Sequence, residues 1–212
     1  MKNTNVNVGK MVRLAILIAI ILVMSFTPLG YLRTLGIEIT FIMIPVAIAS
    51  IIVGPVGGAI AGCVFGITSF IQCFGASPFG AMLMSINPIL TFIMCLVPRI
   101  IAGWLPGLIY LAIIKLGKSK TAAAIAASVS ASVLNTVLFI VSLYLLFGNT
   151  DFIRSFGDSI WDGFVALVGV NGLVEVTVGT VAGAAASRAL VYFFPGKKPD
   201  ARMEKKAGKK SM

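Results

Sequence analysis

The chain of 212 residues contains no histidine. The side chain that most often serves as general base and metal ligand is therefore missing. Acids are scarce as well, with 7 Asp and Glu against 17 Lys and Arg. No paired carboxylates, no nucleophile beside a base and no glycine-rich phosphate loop can be found, so we expect no enzyme and no ATP hydrolysis by this chain. The three cysteines, Cys63, Cys73 and Cys95, show no CxxC or Cys/His spacing. That excludes a zinc site and leaves them as small core hydrophobes. Charge of either sign is thin: 11% of residues are charged, about half of what a soluble domain carries.

What is present is apolar. Hydrophobic residues make up 58% of the chain, and the mean hydropathy is +1.04. Such a chain has too little polar surface to stay in solution, so the expected class is an all-α integral membrane bundle. A net charge of +10 also suits nucleic acid, but the basic residues cluster at the ends of apolar spans. No aromatic-rich basic groove accompanies them, and no nucleic-acid partner is expected.

A membrane helix needs about 20 apolar residues. Six spans are predicted, at Met11–Leu29, Ile39–Val53, Val56–Phe74, Ile89–Leu116, Thr121–Phe147 and Phe164–Phe194. The run from Met11 is too long for a signal-peptide core and lacks a small-residue cleavage site. Pro98 and Pro106 are expected to kink the fourth span, since each removes a backbone donor. In a six-span topology Lys2, Lys10, Arg13, Lys115, Lys118, Lys120, Arg188 and the lysines and arginine of the C-terminal tail share one side. Arg33 and Arg154 share the other with Glu38, Asp151, Asp158 and Asp162. The positive-inside rule then makes both termini cytoplasmic. Residues 1–195 form the membrane domain. Residues 196–212 form a basic, disordered cytoplasmic tail suited to anionic lipid.

Three loops face outward, roughly 30–38, 75–88 and 148–163. The segment "CFGASPFGAMLMSINP" (Cys73–Pro88) is too apolar for an exposed loop. It is expected to fold back as a re-entrant lid or pocket wall.

Polar groups inside a membrane are costly and mark function or internal pairing. Counted at about 1.5 Å per residue, Arg99 and Glu175 both lie near the midplane. They form either a buried ion pair or a cavity floor in which Arg99 receives a substrate carboxylate and Glu175 orders it. Gln72, Asn87, Asn135 and Asn171 also lie at the midplane or in the outer half, whereas the inner half is nearly free of such groups. This asymmetry suggests an outward-facing pocket with amide donors and acceptors; interhelical hydrogen bonding is the competing reading for the asparagines. Phe70, Phe74 and Phe79 are available as walls, and deeper Trp104 is expected to pack in the core.

Small residues decide which helix faces meet in lipid. Gly58, Gly62 and Gly66 recur every four residues in the third span, and Gly179 with Gly183 in the sixth. The fifth has Ala122, Ala126 and Ser130. In the first, Ala15 and Ala19 lie one turn apart among bulky aliphatics.

Six short spans, this Ala-xxx-Ala and the run "ITFIMIPVAIASIIVGPVGGAIAGCVFGITSF" resemble the substrate-binding S component of energy-coupling factor (ECF) vitamin transporters, over roughly residues 11–195. The resemblance implies a subunit that binds a vitamin at the outer face. It also implies partners: a transmembrane coupling protein and two cytosolic ATPases, which use the ATP, so no cofactor belongs to this chain. It maps the coupling-protein docking surface onto Ala15 and Ala19. It maps the ligand site onto regions 30–40 and 75–88, with Asn87, Arg99, Asn135, Asn171 and Glu175. A lone Arg among several amides suits pantothenate best. Riboflavin or folate would use Phe74 and Phe79. A structural membrane protein and a stand-alone carrier are the remaining alternatives.

Overall fold

The computed structural model describes residues 8–28, 30–33, 38–117 and 119–150, and the positions 177, 181 and 185. Among these, in order, are α1 (Val8–Ser25), β1 (Tyr31–Arg33), β2 (Glu38–Thr40), α2 (Met43–Ile52), α3 (Pro55–Gln72), α4 (Pro78–Ile86), α5 (Pro88–Lys115) and α6 (Lys120–Phe147). Helices α1, α3, α5 and α6 are long and apolar enough to cross a membrane. Thr177, Val181 and Ala185 are helical. The rest of the expected sixth span, the acidic loop before it and the basic tail lie outside the described residues.

Local sequence sets the helix boundaries. Asn87 caps α5, its Oδ1 accepting from the amides of Ile89 and Leu90, each at 3.1 Å. Ser77 caps α4 by accepting from Gly80 N at 3.2 Å, and Ser119 caps α6 by accepting from Ala122 N at 3.2 Å. Pro55, Pro78 and Pro88 each stand in the first turn, where a missing N–H costs nothing. Gly54, at φ 110°, turns the chain between α2 and α3; that backbone region suits glycine.

The packing follows from which faces are smooth. Gly58, Gly62 and Gly66 of α3 lie against the carbonyl oxygens of Gly103, Arg99 and Cys95 of α5. The two helices therefore run antiparallel, backbone against backbone, as small residues in lipid favour. A Cβ on Gly62 would overlap the Arg99 carbonyl. Gly62→Val is expected to lower stability by about 1–3 kcal/mol through overpacking, read as a lower Tm in detergent.

Helix α2 is apolar all round and nearly wholly buried, as a core helix should be. Ile42, just before α2, and its Met43 and Val46 cluster with Leu17 and Ile21 of α1, Phe65 of α3 and Ala131 of α6. Helix α6 runs back along α5: Met94 clusters with Leu143 and Phe147, and Tyr110 with Ala124 and Ala127. The chain directions bring Ser25, Gln72, Asn87 and Phe147 to one end of the bundle and Lys10, Arg13, Lys115 and Lys120 to the other.

Two expectations, on the ribbon and on Trp104, need correction. The region read as loop 30–38, with the first two residues of the span expected at Ile39–Val53, contains an antiparallel ribbon, Tyr31 opposite Thr40 and Arg33 opposite Glu38, so the helical class carries a small strand exception and the helix of that span is the shorter α2. The segment expected to fold back as a lid or pocket wall contains helix α4, whose Leu83 is fully buried against α5 and α6. Trp104 is exposed on the flank of α5 and is no part of the core. Pro98 and Pro106 sit fully buried inside one continuous helix, α5. Cys73 and Cys95 are buried free thiols with sulfurs 3.8 Å apart, and Cys63 is half-buried.

Candidate functional site

The most unusual group in the bundle is Arg99, on α5. It is 7% exposed, yet none of helices α1 to α6, among the described residues, contains an acid. Helical side chains lean toward their own N-terminus, and Arg99 does so: Nη1 donates to the Met94 carbonyl at 2.8 Å. Its charge is thereby carried about one turn toward the α4 end. The guanidinium lies 4.9 Å from the Phe139 ring centroid and 5.7 Å from that of Phe65. Such contacts stabilise a cation by about 0.5–2 kcal/mol, well short of the several kcal/mol that burying a charge costs. The Nε–H has no hydrogen-bond partner among the described residues. A guanidinium offers five donors in a fixed fork. Here it presents a buried positive charge with unused donor capacity, which is the chemistry of an anion receptor.

Asn135 is 5% exposed. It precedes Phe139 by four residues on α6, hence on the same face, and Phe139 touches Arg99. The helix therefore brings Asn135 within about one turn of the ring that flanks the guanidinium. Phe79 of α4 reaches Phe139 with centroids 6.3 Å apart. An aromatic path thus runs from the end helix through Phe139 to Arg99.

Two other expected site residues have structural partners. Gln72 Nε2 donates to the Ser25 carbonyl at 2.6 Å, and Ser25 Oγ donates to Thr68 Oγ1 at 2.9 Å. Together they tie the end of α1 to α3. Asn87 spends its side-chain oxygen on the α5 cap. Phe70, Phe74 and Phe92 form edge-to-face pairs at 5.4 and 5.0 Å. Phe74 is 72% exposed, so this cluster lies on the surface, apart from Arg99. Asn171 and Glu175 lie outside the described residues.

Sequence reasoning missed Phe65 and Phe139, which bear no mark distinguishing them from other apolar residues.

Ala15 and Ala19 are exposed on α1, whose buried residues are Leu17, Ile21 and Ser25. At 100° per residue the alanines face roughly 140° away from that buried stripe.

Comparison with known proteins adds two findings. The family model described as "ECF transporter, substrate-specific component" matches residues 9–182. The "Pantothenic acid transporter PanT" of Lactococcus lactis subsp. cremoris (strain MG1363) is 29% identical over 179 residues, 79% of this chain and 86% of that protein. With its apolar spans, the chain is a multi-pass protein of the bacterial cell membrane. Members of this family are substrate-binding components of transporters, not enzymes, and they work with a coupling protein and ATPases. Matched over most of its length by that model, the chain belongs to the family of ECF transporter substrate-specific components.

Proposed function

We propose that this component captures pantothenate at the outer face of the membrane and delivers it with a coupling protein and two cytosolic ATPases. In this reading the chain has six spans, both termini are cytoplasmic, and the basic tail after residue 195 lies along anionic lipid. The observation that carries the reading is the buried Arg99, near two rings and with an Nε that has no hydrogen-bond partner among the described residues. One cation calls for one anion, and pantothenate carries a single carboxylate beside one amide and two hydroxyls. Arg99 receives the carboxylate, and Asn135 and Asn171 meet the neutral polar groups. Glu175 orders the guanidinium from the sixth span. Gln72 and Asn87, engaged with backbone, shape the rim of the site. The likeness to PanT, named for pantothenic acid, points the same way. The exposed Ala15 and Ala19 face receives a helix of the coupling protein.

A ligand that binds only the native state raises the melting temperature, by about 2.7 kcal/mol of stabilisation at a hundred times Kd. In a panel of B vitamins tested on the detergent-solubilised protein, pantothenate is expected to give the largest shift and to appear bound in native mass spectrometry. A larger shift with riboflavin or folate would reassign the substrate. No shift with any vitamin would contradict the pantothenate reading.

A further inference from the structure

We infer that Pro98 is a positioning residue for substrate: its missing N–H leaves the Met94 carbonyl open, and that carbonyl holds the Arg99 guanidinium where a carboxylate can meet it. The inference rests on the proposed role of Arg99 as carboxylate receptor and adds the device that aims it.

In an α-helix the amide of each residue donates to the carbonyl four residues back. The donor for Met94 would be residue 98, and proline has none. A buried carbonyl left without a donor costs about 1–3 kcal/mol, so the position needs another partner. The structure supplies one: Arg99 Nη1 donates to Met94 O at 2.8 Å. The two residues are sequence neighbours, so the proline that opens the acceptor and the arginine that fills it are placed together by the chain itself. Pro98 and Arg99 are both buried, in the part of α5 that faces α3 and its Gly62. With Nη1 bonded to backbone and the Phe65 and Phe139 ring centroids 5.7 and 4.9 Å from Cζ, the guanidinium is restrained in its orientation. Its Nε–H is left without a partner among the described residues. The carbonyl thus acts as a fixed anchor, and the remaining edge of the fork is presented to a ligand. Holding a receptor in its binding geometry before the ligand arrives raises affinity by removing the ordering cost.

Pro106 gives an internal comparison. It also lies buried inside α5, but the next residue is Gly107, so no side chain there can exploit the carbonyl it frees.

The test uses the full-length protein in detergent or nanodiscs, titrated with pantothenate and with pantothenol, its neutral analogue in which an alcohol replaces the carboxylate. The readout is the ratio of the two affinities. Pro98→Ala restores a helical donor to Met94 and releases the guanidinium. It is expected to weaken pantothenate about tenfold, the loss of one charge-assisted hydrogen bond, and to leave pantothenol unchanged. Pro106→Ala leaves the ratio as in the parent. In an Arg99→Gln background, Pro98→Ala has no further effect on the ratio. Equal weakening of both ligands by Pro98→Ala, or an unchanged ratio, overturns the inference. So does a further fall in the ratio when Pro98→Ala is added to Arg99→Gln, where the guanidinium is already gone. An unchanged ratio in Arg99→Gln alone would overturn the carboxylate reading and this inference with it. A collapsed ratio in Arg99→Gln with an unchanged one in Pro98→Ala would overturn the inference alone.

Discussion

Arg99→Gln is expected to weaken pantothenate binding about a hundredfold while leaving pantothenol within about threefold of its original affinity. Removing one partner of a buried charge pair costs about 2–5 kcal/mol, and each 1.4 kcal/mol is a factor of ten. The cost falls on the carboxylate because pantothenol lacks the charge that Arg99 would meet, while Nη1 already has the Met94 carbonyl as its partner. Glutamine keeps a hydrogen-bond donor and much of the length, so the loss reports charge and fork geometry. Titration calorimetry of both ligands, with the melting temperature measured alongside, separates recognition from folding. Parallel loss of both ligands together with a fall in Tm would make Arg99 a structural residue of the bundle.

The second large effect concerns transport without binding. Changing Ala15 and Ala19 together to leucine is expected to abolish uptake and leave pantothenate affinity unchanged. The α1 core stripe of Leu17, Ile21 and Ser25 lies on another face, so the bulky side chains project away from the bundle. They obstruct a partner helix instead, since close approach in lipid depends on small residues. Each misfit side chain costs about 1–3 kcal/mol, so two of them weaken docking by about a hundredfold or more. Uptake of labelled pantothenate in cells and binding to the purified variant are the paired measurements. If binding falls in step with uptake, the alanines belong to the interior of the fold.

How much of the fold was readable beforehand differs by element. The long helices were, because an apolar run of membrane length has few other solutions: α3, predicted from Val56 to Phe74, runs from Pro55 to Gln72. Helix α4 was not, because Gly75, Pro78 and Gly80 look like loop punctuation. Two of those residues have helical uses. Pro78 follows the Ser77 cap, and at Gly80 a Cβ would lie 2.6 Å from the Cys73 sulfur. The ribbon escaped because three-residue strands are too short to display alternation.

The site divides in the same way. Arg99 stood out because charge in a membrane span is rare. Its surroundings were hidden, since Phe65 and Phe139 reach it from other helices and are chemically ordinary. Gln72 and Asn87 were visible as polar residues, but only their partners, Ser25 O and the amides of Ile89 and Leu90, give them bracing and capping jobs. Asn87-Pro88 is nonetheless a helix-start signature in its own right.

The central claim is that one buried arginine reads one carboxylate. The most direct measurement is a titration of the purified parent protein with pantothenate and pantothenol under identical conditions. Saturable one-to-one binding of pantothenate is expected, with pantothenol weaker by about two orders of magnitude, the worth of a buried charge-assisted pair. Equal affinities for the two, or no binding of pantothenate, would contradict it.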